Sequence, residues 1–171
     1  MGVEGTIAMT VDPRMCVASL RYFDLGGPFA EAVQRSVGAV LPRGAITLAL
    51  AALEPLTLIA WRSPSESLLL SEDPQLIQAL SRAVAGLKDG CVIELTGGAC
   101  VLRAAGTGTA ELLARIGGHG SMPPLHGSCA TRLADLPVMV IRLDGPDLLL
   151  VVDRAYLDHL MEWMRVSIRD L

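Results

Sequence analysis

Few side chains in this sequence could do chemistry, and their spacing narrows the choice further. His119 and His126 bracket the loop Ser121-Met122-Pro123-Pro124, and Arg132 follows within a predicted strand. A loop beside a strand is a normal place for binding side chains, so His126, Arg132 and His119 are the candidates for lining a polar pocket. No third group completes a nucleophile–base–orienter triad with them, and no catalytic residue is assigned. His159 lies between Asp158 and Leu160 on a predicted helix and reads as a surface or flank residue. Cys16, Cys91, Cys100 and Cys129 form no CxxC pair, and no His stands at ligand spacing from any of them. In a reducing compartment such thiols are small buried apolar groups, so neither a metal site nor a disulfide is expected.

Two glycine turns, Gly26-Gly27-Pro28 and Gly106-Thr107-Gly108, each follow a strand and open a helix. Helix N-termini can cradle phosphate. Neither turn is a GxGxxG or Walker sequence, however, and the chain's single lysine is Lys88, so a plain helix start is the better account. Arg62 and Arg142 sit at strand ends and could hold a carboxylate or staple their turns to Glu66, Asp144 or Asp147. Their recurrence favours the staple, because an active site rarely recurs in both halves of a duplication. Trp61 and Trp163 are the candidate interface anchors, large amphipathic groups suited to packing against another chain.

The elements that must position these residues come in two copies. At an offset of 80, Leu53, Leu56, Arg62, Leu68, Leu69, Leu70, Asp73 and Leu80 match Leu133, Leu136, Arg142, Leu148, Leu149, Leu150, Asp153 and Leu160. Upstream, Gly26, Ala30, Glu31, Arg35 and Gly38 match Gly106, Ala110, Glu111, Arg115 and Gly118 at the same offset. Leucines coincide easily in an apolar chain, but paired Gly, Glu, Arg and Asp do not. The pseudo-repeats run roughly 14–86 and 91–168, after a tail over 1–13.

Each copy reads as two strands, a helix, three strands and a helix. In the first, 15–25 reads as one half-buried strand or two short ones before a helix that starts at Pro28 and stops at Gly38. Apolar runs at 45–53, 56–61 and 67–70 are the next strands. Asp73-Pro74 starts a helix with Leu76, Ile77, Leu80 and Val84 on its apolar stripe. In the second, strands at 92–95 and 99–104 flank Thr96-Gly97-Gly98. Thr107 or Thr109 caps a helix ending at Gly117-Gly118. Strands follow near 128–133, 137–143 and 148–152. Asp153 caps the last helix, which buries Leu157, Leu160, Met161, Met164 and Ile168. The expected architecture is α+β, two β2-α-β3-α (ferredoxin-like) units fused into one compact domain.

Composition removes several function classes. Lys+Arg is 14 of 171 with no basic block, and net charge is −4, which argues against nucleic acid. Two Trp, two Tyr and two Phe are too few for a base-stacking platform. The apolar segment 45–61 is interrupted by Glu54-Pro55, so no membrane span is expected. Residues 1–13 lack the pattern of a signal peptide, and the expected location is cytoplasmic. Hydrophobic residues reach 51% against 19% charged, which excludes disorder and leaves apolar surface for a partner to cover.

Several segments together resemble a known family. Trp61-Arg62-Ser63-Pro64-Ser65-Glu66-Ser67-Leu68-Leu69 is similar to a tryptophan-x-glycine-proline-acid-glutamate-aromatic-leucine turn. Pro64, Glu66 and Leu68 are kept, whereas Ser63, Ser65 and Ser67 depart from it. Val92-Ile93-Glu94-Leu95-Thr96-Gly97-Gly98 resembles a valine-rich strand that ends in serine-aspartate-glycine, without the aspartate. Gly106 with Leu112-Leu113, then Gly127-Ser128-Cys129-Ala130-Thr131 before Pro137–Val140, and Val152-Asp153-Arg154-Ala155-Tyr156 before Trp163, follow in the same order. The chain resembles the gamma subunit family of heterotetrameric sarcosine oxidase, which has the folate-binding fold of the glycine-cleavage T-protein.

That resemblance implies an accessory subunit of an oxidoreductase in sarcosine catabolism and one-carbon metabolism. Flavin, nicotinamide dinucleotide and tetrahydrofolate would sit on larger flavoprotein subunits, with no cofactor on this chain. The amine could be sarcosine or another N-methylated amine. The alternative is a stand-alone folate or small-molecule binder of the same fold, with His126 and Arg132 in its pocket. An independent aminomethyl transferase is the weakest reading, because no acid–base pair stands near a glycine-rich pocket. Exposed apolar surface could also drive the isolated chain to a homo-oligomer.

Overall fold

The computed structural model describes residues 7–169, which form ten strands and four α-helices. They divide into two compact units, one over Arg14–Thr96 and the other built from the segment ending at Pro13 together with the segment starting at Gly97.

The Arg14–Thr96 unit contains β2 (Cys16–Tyr22), α1 (Pro28–Val37), β3 (Leu48–Leu53), β4 (Leu56–Ser63), β5 (Glu66–Ser71), α2 (Pro74–Ala83) and β6 (Gly90–Glu94). Its sheet runs in the order β3-β4-β5-β2-β6, antiparallel throughout. Local chemistry sets the helix ends. Pro28 opens α1 where its missing N–H is no loss, and Gly38 closes it at φ 82°, with its N–H donating to the Gln34 carbonyl at 2.9 Å. Asp73 caps α2 by accepting the Gln75 N–H at 2.9 Å. Phe29, Val33, Val37, Ile77, Leu80 and Val84 then pack on Ala18, Leu20, Tyr22, Ile59 and Leu69 of the sheet.

The other unit contains β1 (Ala8–Val11), β7 (Ala99–Ala105), α3 (Thr109–Gly117), β8 (Gly127–Leu133), β9 (Leu136–Arg142), β10 (Leu148–Asp153) and α4 (Leu157–Arg169). Its sheet order is β1-β7-β10-β9-β8. Leu112, Leu113, Leu160 and Met164 of the helices pack on Leu102, Val138, Val140, Leu148, Leu150 and Val152. Leu157, Met161 and Ile168 join this cluster from partly buried positions, on the stripe that the sequence pattern predicts.

In both sheets the face turned away from the helix-packed cluster is also apolar and withdrawn from solvent. Val17, Leu58, Ala60, Leu68 and Leu70 are buried there in one unit, and Val101, Met139, Ile141, Leu149 and Val151 in the other. Central strands buried on both faces carry continuous apolar runs instead of an alternating pattern. That explains Leu68-Leu69-Leu70 and Leu148-Leu149-Leu150-Val151-Val152.

Three expectations need correction. Residues 1–13 are not all tail: 8–11 form β1, paired antiparallel with β7, while residues 1–6 lie outside the described range. The Arg103 Nε–H donates to the buried Asp12 carboxylate at 2.6 Å and fastens the end of that strand. A four-residue strand whose partner lies more than 90 residues away leaves no local pattern, because its pairing is a tertiary contact. Consequently the copies and the units differ. β1 lies before the 14–86 bounds expected for the first copy and supplies its first strand; that strand and its counterpart β6 each complete the sheet built from the other copy.

The second correction is at α3. Its N-cap is Gly108, not Thr107 or Thr109, and Thr109 instead donates its hydroxyl to the Gly106 and Pro146 carbonyls at 3.1 and 2.7 Å. Buried Thr109 is therefore used to tie the helix start to the loop before β10. The third is at Asp153, which caps the 3-10 turn Arg154–Tyr156 that leads into α4, and not α4 directly.

Gly90 has a packing role beyond punctuation. A Cβ there would fall 2.3 Å from the ring of Phe29, which is fully buried. Gly90→Ala should lower unfolding free energy by about 1–3 kcal/mol through overpacking, and Phe29→Ala by about 3–5 kcal/mol through the cavity left. Urea unfolding of both variants checks this; a neutral Gly90→Ala would contradict the packing.

Candidate functional site

Two of the three pocket candidates, Arg132 and His126, have separate partners. Arg132 is exposed near the end of β8 and donates from Nη2 to the Asp135 carbonyl, across the two-residue turn Ala134-Asp135. Both turn residues have positive φ, 48° and 63°, the backbone that a twisted hairpin between β8 and β9 requires. His126 precedes β8 with φ 55°, and its Nε2 lies 3.5 Å from the exposed Asp144 carboxylate. His119 is exposed at the start of the 3-10 turn His119–Ser121. Ser121, not a histidine, anchors that loop: its buried hydroxyl donates to the Leu113 and Gly118 carbonyls at 2.9 and 2.6 Å. No hydrogen bond or ion pair joins His119, His126 and Arg132 to one another among the described residues.

The repeated arginines staple their turns. Arg62 donates to Glu66 Oε1 at 3.1 Å. The Ser19 hydroxyl donates to the same oxygen at 2.6 Å, and Arg21 stands 4.0 Å from it. Arg142 donates from Nε to the Gly145 carbonyl at 3.2 Å. Glu66 is thus the hub of a small network on β2, β4 and β5, where charged hydrogen bonds are stronger than neutral ones.

The first glycine turn already holds an anion of its own. The Phe29 N–H at the α1 N-terminus donates to Asp89 Oδ2 at 2.9 Å, where a phosphate oxygen would bind. A Cβ on Gly27 would meet that same oxygen at 2.6 Å, so Gly27 is small to let the carboxylate approach. No group of three His, Cys, Asp or Glu side chains among the described residues could hold a metal ion. A depression of about 220 Å³ lined by Ser81, Val84, Gly86, Leu87, Cys91 and Val92 is below the usual size of a ligand pocket and has no charged lining.

The cysteines also need correction as a set. Only Cys100 is a fully buried core thiol; Cys16 and Cys129 are partly covered and Cys91 is exposed on β6. Burial pushes the Cys129 thiol above its ordinary range. Trp61 is half-buried on β4, whereas Trp163 is half-exposed on α4, between Tyr156 and Val166, which are also exposed. His159 is exposed, as its place in the repeat suggests. The apolar surface expected from composition is located here: Phe23 is 88% exposed, Leu53 61% and Val40 56%. Hydropathy alone cannot place them, because Phe23 and Val40 lie in connecting segments and Leu53 ends an edge strand, features set by the fold.

This arrangement defines a class first. It is an α+β protein of duplicated, helix-backed antiparallel sheets, and its polar residues hold turns. Its fold matches that of a chain in heterotetrameric sarcosine oxidase from Corynebacterium sp. U-96, solved in complex with pyrrole 2-carboxylate. The TM-score is 0.85 at 22% identity, over 96% of this chain and 84% of that one. It also matches the glycine cleavage system aminomethyltransferase T from Bartonella henselae, with TM-score 0.67 at 13% identity, over 92% of this chain but 45% of that one. No curated protein matches at the sequence level. The sarcosine oxidase, gamma subunit family matches residues 24–169, and the chain belongs to that family.

The T-protein-like fold raises the question of a folate. His119, His126 and Arg132 are each exposed, and Arg132 and His126 already meet the Asp135 carbonyl and the Asp144 carboxylate.

Three outcomes follow from this geometry. Glu66→Gln should destabilise by about 1–2 kcal/mol, because Ser19 and Arg62 lose a charged acceptor, whereas Arg62→Ala should cost less than about 1 kcal/mol; chemical denaturation distinguishes the two. Replacing Ala134→Asn together with Asp135→Gly should stabilise by about 1 kcal/mol, since both residues then suit the left-handed region. In alkylation at about pH 8, Cys91 should react before Cys129, whose raised pKa and cover leave less thiolate accessible. Equal rates would contradict that assignment.

Proposed function

We propose that this chain is the gamma-type accessory subunit of a heterotetrameric oxidase of sarcosine or a related N-methylated amine. The observation that carries this reading is the family match over 24–169, which spans all four α-helices and the strands from β3 to β10. In this reading the chain performs no catalysis of its own. Flavin, nicotinamide dinucleotide and tetrahydrofolate belong to the larger chains, and this subunit supports the assembly by packing against them. The whole complex works in the cytoplasm; among the described residues no helix is long and apolar enough to cross a membrane.

Two features support a role in assembly over one in catalysis. Of the polar residues that recur in both copies, Arg62 and Arg142 staple turns and Asp73 and Asp153 cap helical starts, which is structural work. The exposed large apolar residues include Trp163 and Val166 on α4, Tyr156 in the 3-10 turn before it, and Leu50 and Leu53 on β3. Buried aromatic anchors commonly dominate interface energetics, and Trp163 is our candidate for one.

The test is co-expression of the tagged chain with the larger subunits of the oxidase. Purification should yield a yellow complex that oxidises the amine, and Trp163→Ala should weaken assembly about tenfold. A chain that purifies alone and colourless beside intact larger subunits would sink this reading. Saturable binding of a reduced folate to that solitary chain would replace it with the small-molecule reading.

A further inference from the structure

The two sheets end in four strands: β3 and β6 in one unit, β1 and β8 in the other. Natural edges are normally guarded by charge, by proline or by brevity, because their unpaired N–H and C=O groups will accept another strand. β8 carries Arg132, β6 carries Glu94, and β1 is four residues long. β3 carries neither charge nor proline and is not short; its one irregularity is the register shift between Leu50 and Ala52. It is Leu-Ala-Leu-Ala-Ala-Leu over six residues, bonded to β4 on one side and to no described residue on the other. Leu50 and Leu53 are 42% and 61% exposed along it, and Ile46 just before it is 52% exposed.

We propose that the open edge of β3 receives an extended apolar strand from a larger chain of the oxidase. This rests on the subunit reading above and adds where and how the subunit is held. Unsatisfied backbone groups in a row select an extended segment over a helix, since only a strand can answer each donor and acceptor in turn. The absence of charge on β3 selects an apolar partner strand. The edge also discriminates against a second copy of this chain. A register shift between Leu50 and Ala52 bulges the strand, and two identical bulged edges pair poorly because each extra residue interrupts the ladder.

The experiment compares the wild-type chain, a variant carrying Leu50→Lys with Leu53→Lys, and the control Ile93→Lys on the opposite edge of the same sheet. Each is co-expressed with the larger subunits, and thermal midpoints are measured to show that all three fold. The expected result is assembly weakened at least about tenfold by the β3 pair and unchanged by Ile93→Lys. Hydrogen exchange should also show amides of residues 48–53 becoming protected in the wild-type complex, a signature that side-chain contact alone does not produce. Wild-type assembly that tolerates the β3 pair, or β3 amides that exchange equally fast in the complex, overturns the inference and leaves the subunit reading standing. A wild-type chain that fails to assemble overturns both. A homodimer of the isolated chain that the β3 pair dissolves, with assembly unaffected, would assign the edge to self-association and overturn the inference as well.

Discussion

The central strands are buried on both faces, and most of the structure answers to that constraint. A strand with one wet face can alternate polar and apolar residues and can hydrogen-bond stray groups to water. β2, β4 and β5, and their counterparts β7, β9 and β10, have little such freedom. Their backbones must be satisfied by neighbouring strands. Polar side chains that do fall among them must find each other. Tyr22 and Ser67 meet at 2.9 Å, Thr57 and Ser71 at 2.8 Å, and Ser19 meets Glu66 at 2.6 Å. Among the described residues no buried side-chain nitrogen or oxygen lacks a partner. Each serine or threonine is small enough to leave the sheet's packing intact, and each bond spans two strands, so the pairs also fix register.

The same constraint places the charged residues. With the middles of the strands closed to them, arginines and carboxylates collect at strand ends and turns. There they do the work that remains: Arg62 with Glu66, Arg132 with the Asp135 carbonyl, and Arg142 with the Gly145 carbonyl. Such residues mimic an active site in a sequence, because both kinds of site place polar groups where a strand meets a loop. Duplication separates the two cases. A turn staple is needed once per copy and so recurs, whereas binding a ligand requires one set of converging groups. His126 and Arg132 have no counterparts in the first copy, which made them the better candidates, yet each is occupied locally.

Much of the fold is legible because its signals are local. Pro28 and Gly38 mark α1, and Asp73-Pro74 marks α2, since the groups that satisfy a helix end lie within a few residues of it. The duplication is legible because charged and glycine positions repeat in register. What stays hidden is whatever depends on remote pairing. β1 exists through β7 and the Asp12–Arg103 bond. Thr109 turns away from capping because the Pro146 carbonyl stands within reach, 37 residues along the chain. Cys91 is exposed because β6 is an edge, a property of the sheet order and not of the residues beside it. The candidate pocket residues show the same dependence on turn geometry: Arg132 bonds the Asp135 carbonyl, and His126 lies beside the Asp144 carboxylate.

An edge strand is where the demand for apolar burial becomes a demand on another molecule. The helices cover one face of each sheet and the opposite faces are withdrawn from water, but the terminal strands have only one neighbour each. Three of the four meet that exposure with a charge or with shortness. β3 meets it with leucine and alanine, residues that gain nothing from water and leave the outward backbone groups unanswered. In a protein working alone this would be a liability toward aggregation. In a subunit that is covered on assembly it is a means of recognition. Apolar side chains supply the driving force, and the row of backbone groups specifies an extended partner. The bulge between Leu50 and Ala52 makes the edge a poor match for its own copy. A family defined by membership in a hetero-oligomer supplies the reason to keep such an edge, and the five-stranded sheet of its unit supplies the frame that presents it.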